Sequence, residues 1–170
     1  YWALGLGAPD RVEVDMTEKA NPIHTPNGSI VTYKFPARGK KPAVDVKWIE
    51  GPRLPKAPKG YDWEIKGNGG FIMVGEKGGI SHDGMRPNSP RLYPKSRWES
   101  YRKNANERVP KTLKRVPGIH NDWVNGIRNS EMTVSDFSYS GPLTESIILG
   151  TLAIRTGQGL EWSSKNMKIS

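Results

Sequence analysis

The chain has 170 residues, 19 glycines, 14 prolines, no cysteine, and a formal charge of +9 from 26 basic and 17 acidic side chains. Without cysteine it can form no disulfide, thiolate nucleophile or zinc–thiolate site, and no apolar run approaches the ~20 residues of a membrane-spanning helix. The length suits a single domain burying roughly 70% of its unfolded surface, and so much glycine and proline favours turns and short elements over a helical bundle.

Residues 1–5 read as the end of a helix. Arg11–Met16 alternates, with Val12, Val14 and Met16 on one side, as a half-buried strand does. Asn21–Gly28 is rich in turn formers and ends on the turn pair Asn27-Gly28. Ser29–Phe35 and Ala43–Ile49 form an antiparallel hairpin whose loop carries Arg38, Lys40 and Lys41. In its second strand Val44, Val46 and Trp48 face one way, and Asp45 and Lys47 the other. Gly51–Gly60 holds three prolines, which excludes a central strand or helix interior.

Phe71–Val74 and Gly79–Ser81 are strands joined by Gly75-Glu76-Lys77-Gly78, whose glycines supply positive φ angles. No helix pattern follows that turn, which argues against a phosphate cradle. Pro94–Arg102 suits a short helix with proline in its first turn. Gly118–Arg128 suits another, with Ile119, Trp123 and Ile127 spaced i, i+4, i+8.

Pro142–Thr156 reads as a largely apolar helix, with Pro142 at the first helical position and Gly157 as a left-handed stop. Leu143, Ile147, Ile148, Leu152 and Ile154 cover more than one of its faces, so it should be buried against a sheet. A short strand at Leu160–Trp162 follows. Strands come mostly before helices, which predicts an α+β fold: an open antiparallel or mixed sheet with helices packed on one face.

Of the three histidines, His24 lies in a proline-flanked loop and reads as a surface residue. His82, Arg86 and Arg91 belong to a polar loop that follows a strand end, where ligand contacts often sit. His120 and Asp122 fall in the first turn of the Gly118–Arg128 helix. There His120 can donate to a substrate hydroxyl or hold a proton; alternatively Asp122 caps the helix and His120 packs with Trp123. A metal on His82, His120 and Asp122 is disfavoured, because His-x-Asp spacing in a helix points the side chains apart.

No Gly-x-Ser-x-Gly elbow and no acid/base carboxylate pair stands out. Trp48, Trp63, Trp98 and Trp123 are either sugar-stacking platforms or core and interface residues. The basic run Arg97–Arg115 fits no named nucleic-acid motif and reads as a solvated stretch rather than a nucleic-acid site.

Literal strings carry a further signal. Ser140-Gly141-Pro142-Leu143-Thr144-Glu145, Ala153-Ile154-Arg155-Thr156-Gly157, Leu160-Glu161-Trp162 and Asn166-Met167-Lys168-Ile169 cluster at one end. Upstream stand Tyr1-Trp2-Ala3-Leu4, the Tyr33–Gly39 stretch, Gly75-Glu76-Lys77-Gly78-Gly79-Ile80 and Gly118-Ile119-His120-Asn121-Asp122-Trp123. Together they resemble the C-terminal domain of the glucose–fructose oxidoreductase / inositol dehydrogenase (Gfo/Idh/MocA) family, in its bacterial dehydrogenase branch. The resemblance covers nearly the whole chain, most weakly in residues 82–116.

It implies an α+β domain, spanning residues 1–170, whose open sheet face meets a partner subunit in a homo-oligomer. It also implies a parent protein with an N-terminal nucleotide-binding domain, a Glu-Lys-Pro lysine and a catalytic histidine, all upstream of Tyr1. NAD or NADP is the cofactor expected in that parent, and a sugar, sugar acid or cyclitol the substrate, in a bacterial cytoplasm or periplasm. This chain has no Gly-x-Gly-x-x-Gly between a strand and a helix, so by itself it should bind no cofactor and catalyse nothing. His82, Arg86, Arg91, His120 and Asp122 should then converge on one substrate-binding wall. Two alternatives stand beside this reading: a domain of an NAD-dependent glycosidase, and a stand-alone carbohydrate- or anion-binding module without cofactor. Neither nucleic acid nor membrane is an expected partner.

Overall fold

The computed structural model describes residues 1–59, 61, 69–86 and 89–169. In chain order the strands are β1 (Arg11–Met16), β2 (Ser29–Phe35), β3 (Val44–Glu50), β4 (Gly70–Gly75), β5 (Gly78–Asp83), β6 (Arg91–Tyr93), β7 (Leu160–Ser163) and β8 (Lys168–Ile169). The helices are α1 (Lys95–Lys103), α2 (Ile119–Asn129) and α3 (Phe137–Thr156). All strand pairs are antiparallel, so the fold is α+β with an open sheet. The chain divides into two compact units, Tyr1–Arg53 with Lys114–Ser170, and Leu54–Leu113.

The larger unit is a five-stranded sheet in the order β3-β2-β1-β7-β8. Its register sets Val12 opposite Tyr33, Val14 opposite Val31, Val31 opposite Trp48 and Tyr33 opposite Val46. Because side chains alternate across a strand, these residues share one face. Helix α3 lies on that face over β1 and β2. Val12, Val31, Leu149, Ala153 and Leu160 form the buried core, flanked by Val14, Tyr33, Leu152, Ile154 and Trp162. The other face carries charge. Glu13 receives Arg11 Nε at 3.0 Å and Lys34 Nζ at 3.1 Å, and Arg11 Nη1 reaches Glu161 at 2.7 Å. The bond from Lys34 and the positive charges of Lys34 and Arg11 hold the Glu13 carboxyl below its ordinary value. Such exposed pairs add little stability.

Helix α3 begins at Phe137, with Asp136 Oδ1 accepting the Ser138 N–H at 2.8 Å, and not at Pro142 as the proline suggested. Pro142 therefore sits in the second turn, where its missing N–H leaves the Ser138 carbonyl without its usual helical donor. The stop is as expected: Gly157 adopts φ 66° and donates to the Ala153 carbonyl at 2.9 Å.

The buried stripe of α3 is narrow and mostly small: Ser146, Leu149, Gly150 and Ala153. A Cβ at Gly150 would collide with the Tyr33 hydroxyl, so glycine is what lets the helix seat on β2. Ile147 and Ile148, expected in the core, are exposed. The reason is width: a helix is ~10 Å across, whereas five strands at ~4.8 Å spacing span about twice that.

Helix α2 also departs from expectation. Its inward side is Asp122 and Gly126, the latter against Glu131 and Thr133, while Ile119, Trp123 and Ile127 are all exposed. Residues 1–5 form turns rather than a helix end, with Gly5 N–H bonded to the Trp2 carbonyl at 3.0 Å. Residues 51–59 contain neither strand nor helix.

The smaller unit is the antiparallel sheet β4-β5-β6 followed by α1. The two-residue turn Glu76-Lys77 joins β4 and β5. Of its flanking glycines, Gly78 takes the positive φ, 135°, and a Cβ there would strike the Tyr93 carbonyl. Pro94 precedes the first helical residue of α1, which packs on β6 but buries none of its own residues. Tyr61 stacks on Tyr93 and Trp98 on Tyr101, with ring centroids 5.7 and 6.0 Å apart.

Candidate functional site

The five residues singled out in the sequence are divided between the units. His82, Arg86 and Arg91 belong to the smaller, His120 and Asp122 to the larger. His82 lies in β5 and is only 4% exposed. Its ring stacks on Phe71 at 5.7 Å, and its Nε2 bonds the Arg86 carbonyl. A carbonyl can only accept, so Nε2 carries the hydrogen. His82 is thereby a brace for its own loop, not the open ligand contact that its place in the sequence suggested. Arg86 and Arg91 are exposed, Arg91 on β6 opposite Ser81. Pro87, Asn88 and Trp63 lie outside the described residues.

In the larger unit His120 and Asp122 part company. His120 is exposed near the start of α2. Asp122 is 5% exposed, and its Oδ2 accepts the Val134 N–H at 2.8 Å. Asp122 therefore does not cap its own helix. It ties α2 to the segment that leads into α3, satisfying a backbone donor that helix formation cannot reach. His120 does not pack beneath Trp123, since both are exposed. Among the described residues no group of three or more His, Asp or Glu side chains could hold a metal, and no helix is long and apolar enough to cross a membrane.

Two grooves of the larger unit lie instead on the two sides of α3. On the β7 side is a groove of about 500 Å³ walled by Phe137, Thr144, Ile148, Trp162 and Met167. Trp162 Nε1–H donates to Glu145 there at 2.6 Å. On the β3 side is a groove of about 370 Å³, formed by Trp48, Tyr33, Glu50, Ile147, Thr151, Arg155 and the 21–25 loop. Trp48 Nε1–H donates to Glu50 Oε1 at 2.9 Å. Burial, and secondarily the Glu50 charge, raise the Tyr33 phenol above its ordinary value. The alternation of β3 places Trp48 on the inner face from sequence alone. That α3 stops short of β3 is a matter of helix and sheet widths, which no local pattern carries.

Comparison with protein-family models, with curated proteins and with solved structures finds no match to this chain.

Proposed function

We propose that this chain is the substrate-binding and oligomerisation domain of an NAD- or NADP-dependent oxidoreductase acting on a sugar, sugar acid or cyclitol. The observation that carries the reading is the segment 140–169, whose successive strings resemble one end of the Gfo/Idh/MocA family. The open antiparallel sheet with a long helix on one face agrees with that resemblance. The exposed Ile119, Trp123 and Ile127 stripe on α2 supports the part of the reading in which further protein covers this chain.

Among the described residues no glycine stands directly between a strand and a following helix. A pyrophosphate site needs glycines between a strand and a helix N-terminus. Here Gly5 and Gly7 lie among turns ahead of β1, and Gly75, Gly78 and Gly79 border a strand-to-strand turn. Cofactor chemistry in this reading belongs wholly to residues outside the chain. Arg86, Arg91 and His120, all exposed, remain as donors for substrate hydroxyls or carboxylates.

Two measurements test the reading. Sequencing the coding region upstream of Tyr1 should give an in-frame glycine-fingerprint domain. An independent translation start in its place would move the chain to the stand-alone module class. Calorimetric titration of the chain with NADH and NADPH should give no heat of binding, and micromolar binding would overturn the assignment.

A further inference from the structure

The groove between α3 and β3 has a composition that selects one kind of ligand. One lining residue is Trp48, 60% exposed on an edge strand, its indole N–H bonded to Glu50. Ile147 and Ile154 of α3 stand across from it. A flat aromatic face beside aliphatic side chains suits a ring with an apolar C–H face. Polar groups surround this platform. Glu50 has a second carboxylate oxygen to offer, and Thr151, whose hydroxyl donates to the Ile147 carbonyl at 3.2 Å, has lone pairs left to accept. The Tyr33 hydroxyl, whose pKa burial raises above its ordinary value, has no hydrogen-bond partner among the described residues.

The wall is built before any ligand arrives. Arg155 Nη2 donates to the Pro22 carbonyl at 2.8 Å, strapping the 21–25 loop to the last turn of α3. Within the loop Asn21 Oδ1 accepts the Ile23 N–H at 2.8 Å, and His24 Nδ1 meets the Thr25 carbonyl at 3.0 Å. A preformed wall spares the ligand the cost of ordering it. The groove's size is near the low end of the ~300–1,000 Å³ usual for small-molecule sites, enough for one or two sugar rings. Arg155 at the rim opposes a quaternary ammonium on Trp48, and Glu50 opposes an anion.

We propose that this groove binds a neutral saccharide, with one pyranose ring stacked on Trp48 and its hydroxyls bonded to Glu50, Tyr33 and Thr151. The inference goes beyond the oxidoreductase reading and does not depend on it, since every residue named lies in the larger unit and none contacts a cofactor. His120, Arg86 and Arg91 are not among the residues that line it.

Saturation-transfer NMR on the full chain tests it, with the methyl glycosides of glucose, galactose and mannose as probes and glycine betaine as the cationic control. At least one glycoside should receive magnetisation on its ring C–H groups, and betaine none. Trp48→Ala should weaken that binding about tenfold, the loss expected for one aromatic stacking contact. Tyr33→Phe, which removes one hydroxyl, should weaken it about fivefold. Circular dichroism checks that both variants stay folded, and Tyr33→Phe carries the test if Trp48→Ala does not. Absence of transfer to all three glycosides, equal affinity in a folded variant and the parent chain, or binding of betaine would each overturn the proposal. NADH titration of the same samples reads the oxidoreductase assignment separately.

Discussion

Helices α2 and α3 both carry more apolar side chains than one buried face can use, and they dispose of them differently. Helix α3 turns small residues inward: Gly150 and Ala153 let its backbone approach β1 and β2, with Leu149 filling the space between. Its larger Ile147 and Ile148 then flank the contact and wall the two grooves. Helix α2 turns a carboxylate and a glycine inward and presents Ile119, Trp123 and Ile127 outward. One helix is held by packing, the other by a hydrogen bond from the segment that follows it. The contrast teaches that an apolar stripe in a sequence marks a surface to be covered without saying by what. Within this chain the sheet covers the small residues of α3, and nothing among the described residues covers the stripe of α2.

The largest effect should come from the packed helix. Leu149→Ala removes a side chain only 3% exposed and should cost about 2–5 kcal/mol, read by urea unfolding. A cost under ~1 kcal/mol would mean that α3 is not the helix that closes the core.

Asp122→Ala should cost less, about 1–3 kcal/mol, because it strands the Val134 N–H. Hydrogen exchange at the Val134 amide should quicken more than at amides of β1 or β2. Unchanged exchange there would show that the α2 tether lies elsewhere.

A smaller effect is pH-dependent. Hydrogen bonds from the Ser138 hydroxyl and backbone N–H hold the Asp136 carboxyl below its ordinary value. A depressed folded pKa contributes stability that is present above the ordinary carboxylate range and lost as pH falls through the folded value. Acidification should therefore fray the first turn of α3, as a partial loss of helical circular dichroism before global unfolding. Asp136→Asn, which keeps the cap without the titration, should remove that step. Persistence of the step in the variant would assign it to another group.

The smallest effect is expected on the stripe. Trp123→Ser and Ile127→Ser, both at exposed positions, should change stability by no more than about 0.5 kcal/mol and reduce any self-association seen by light scattering. A cost above ~2 kcal/mol would show that the stripe is buried in solution and would erase the contrast between the two helices.

Much of the fold was legible because its signals are local. Alternation marked β1 and β3, and the hairpin pattern marked β2, within a residue of their observed ends; the glycines of 75–78 placed a turn and the prolines of 51–59 a break. Gly157 stopped α3 for a reason internal to one residue, its left-handed backbone. The start of α3 was missed because a proline permitted at a first position outweighed Asp136-Phe137-Ser138, a capping signal of equal standing.

The site was far less legible. Histidines, arginines and an aspartate in polar loops are locally the same whether they meet a ligand or brace a turn. For His82 and Asp122 the difference lies in burial and in partners at Arg86 and Val134, which local pattern does not reveal.

By itself, then, the amino-acid order determined most of the strands and helices, the antiparallel β2–β3 hairpin and the face of β3 on which Trp48 stands. Those follow from backbone sterics and side-chain period, which act over a few residues. Only the tertiary structure decided that α3 rests on β1 and β2, that β3 keeps an open aromatic platform, and that α2 faces inward with Asp122. These depend on the relative widths of helix and sheet and on which donor finds which acceptor across the fold, distances set by the whole assembly of elements.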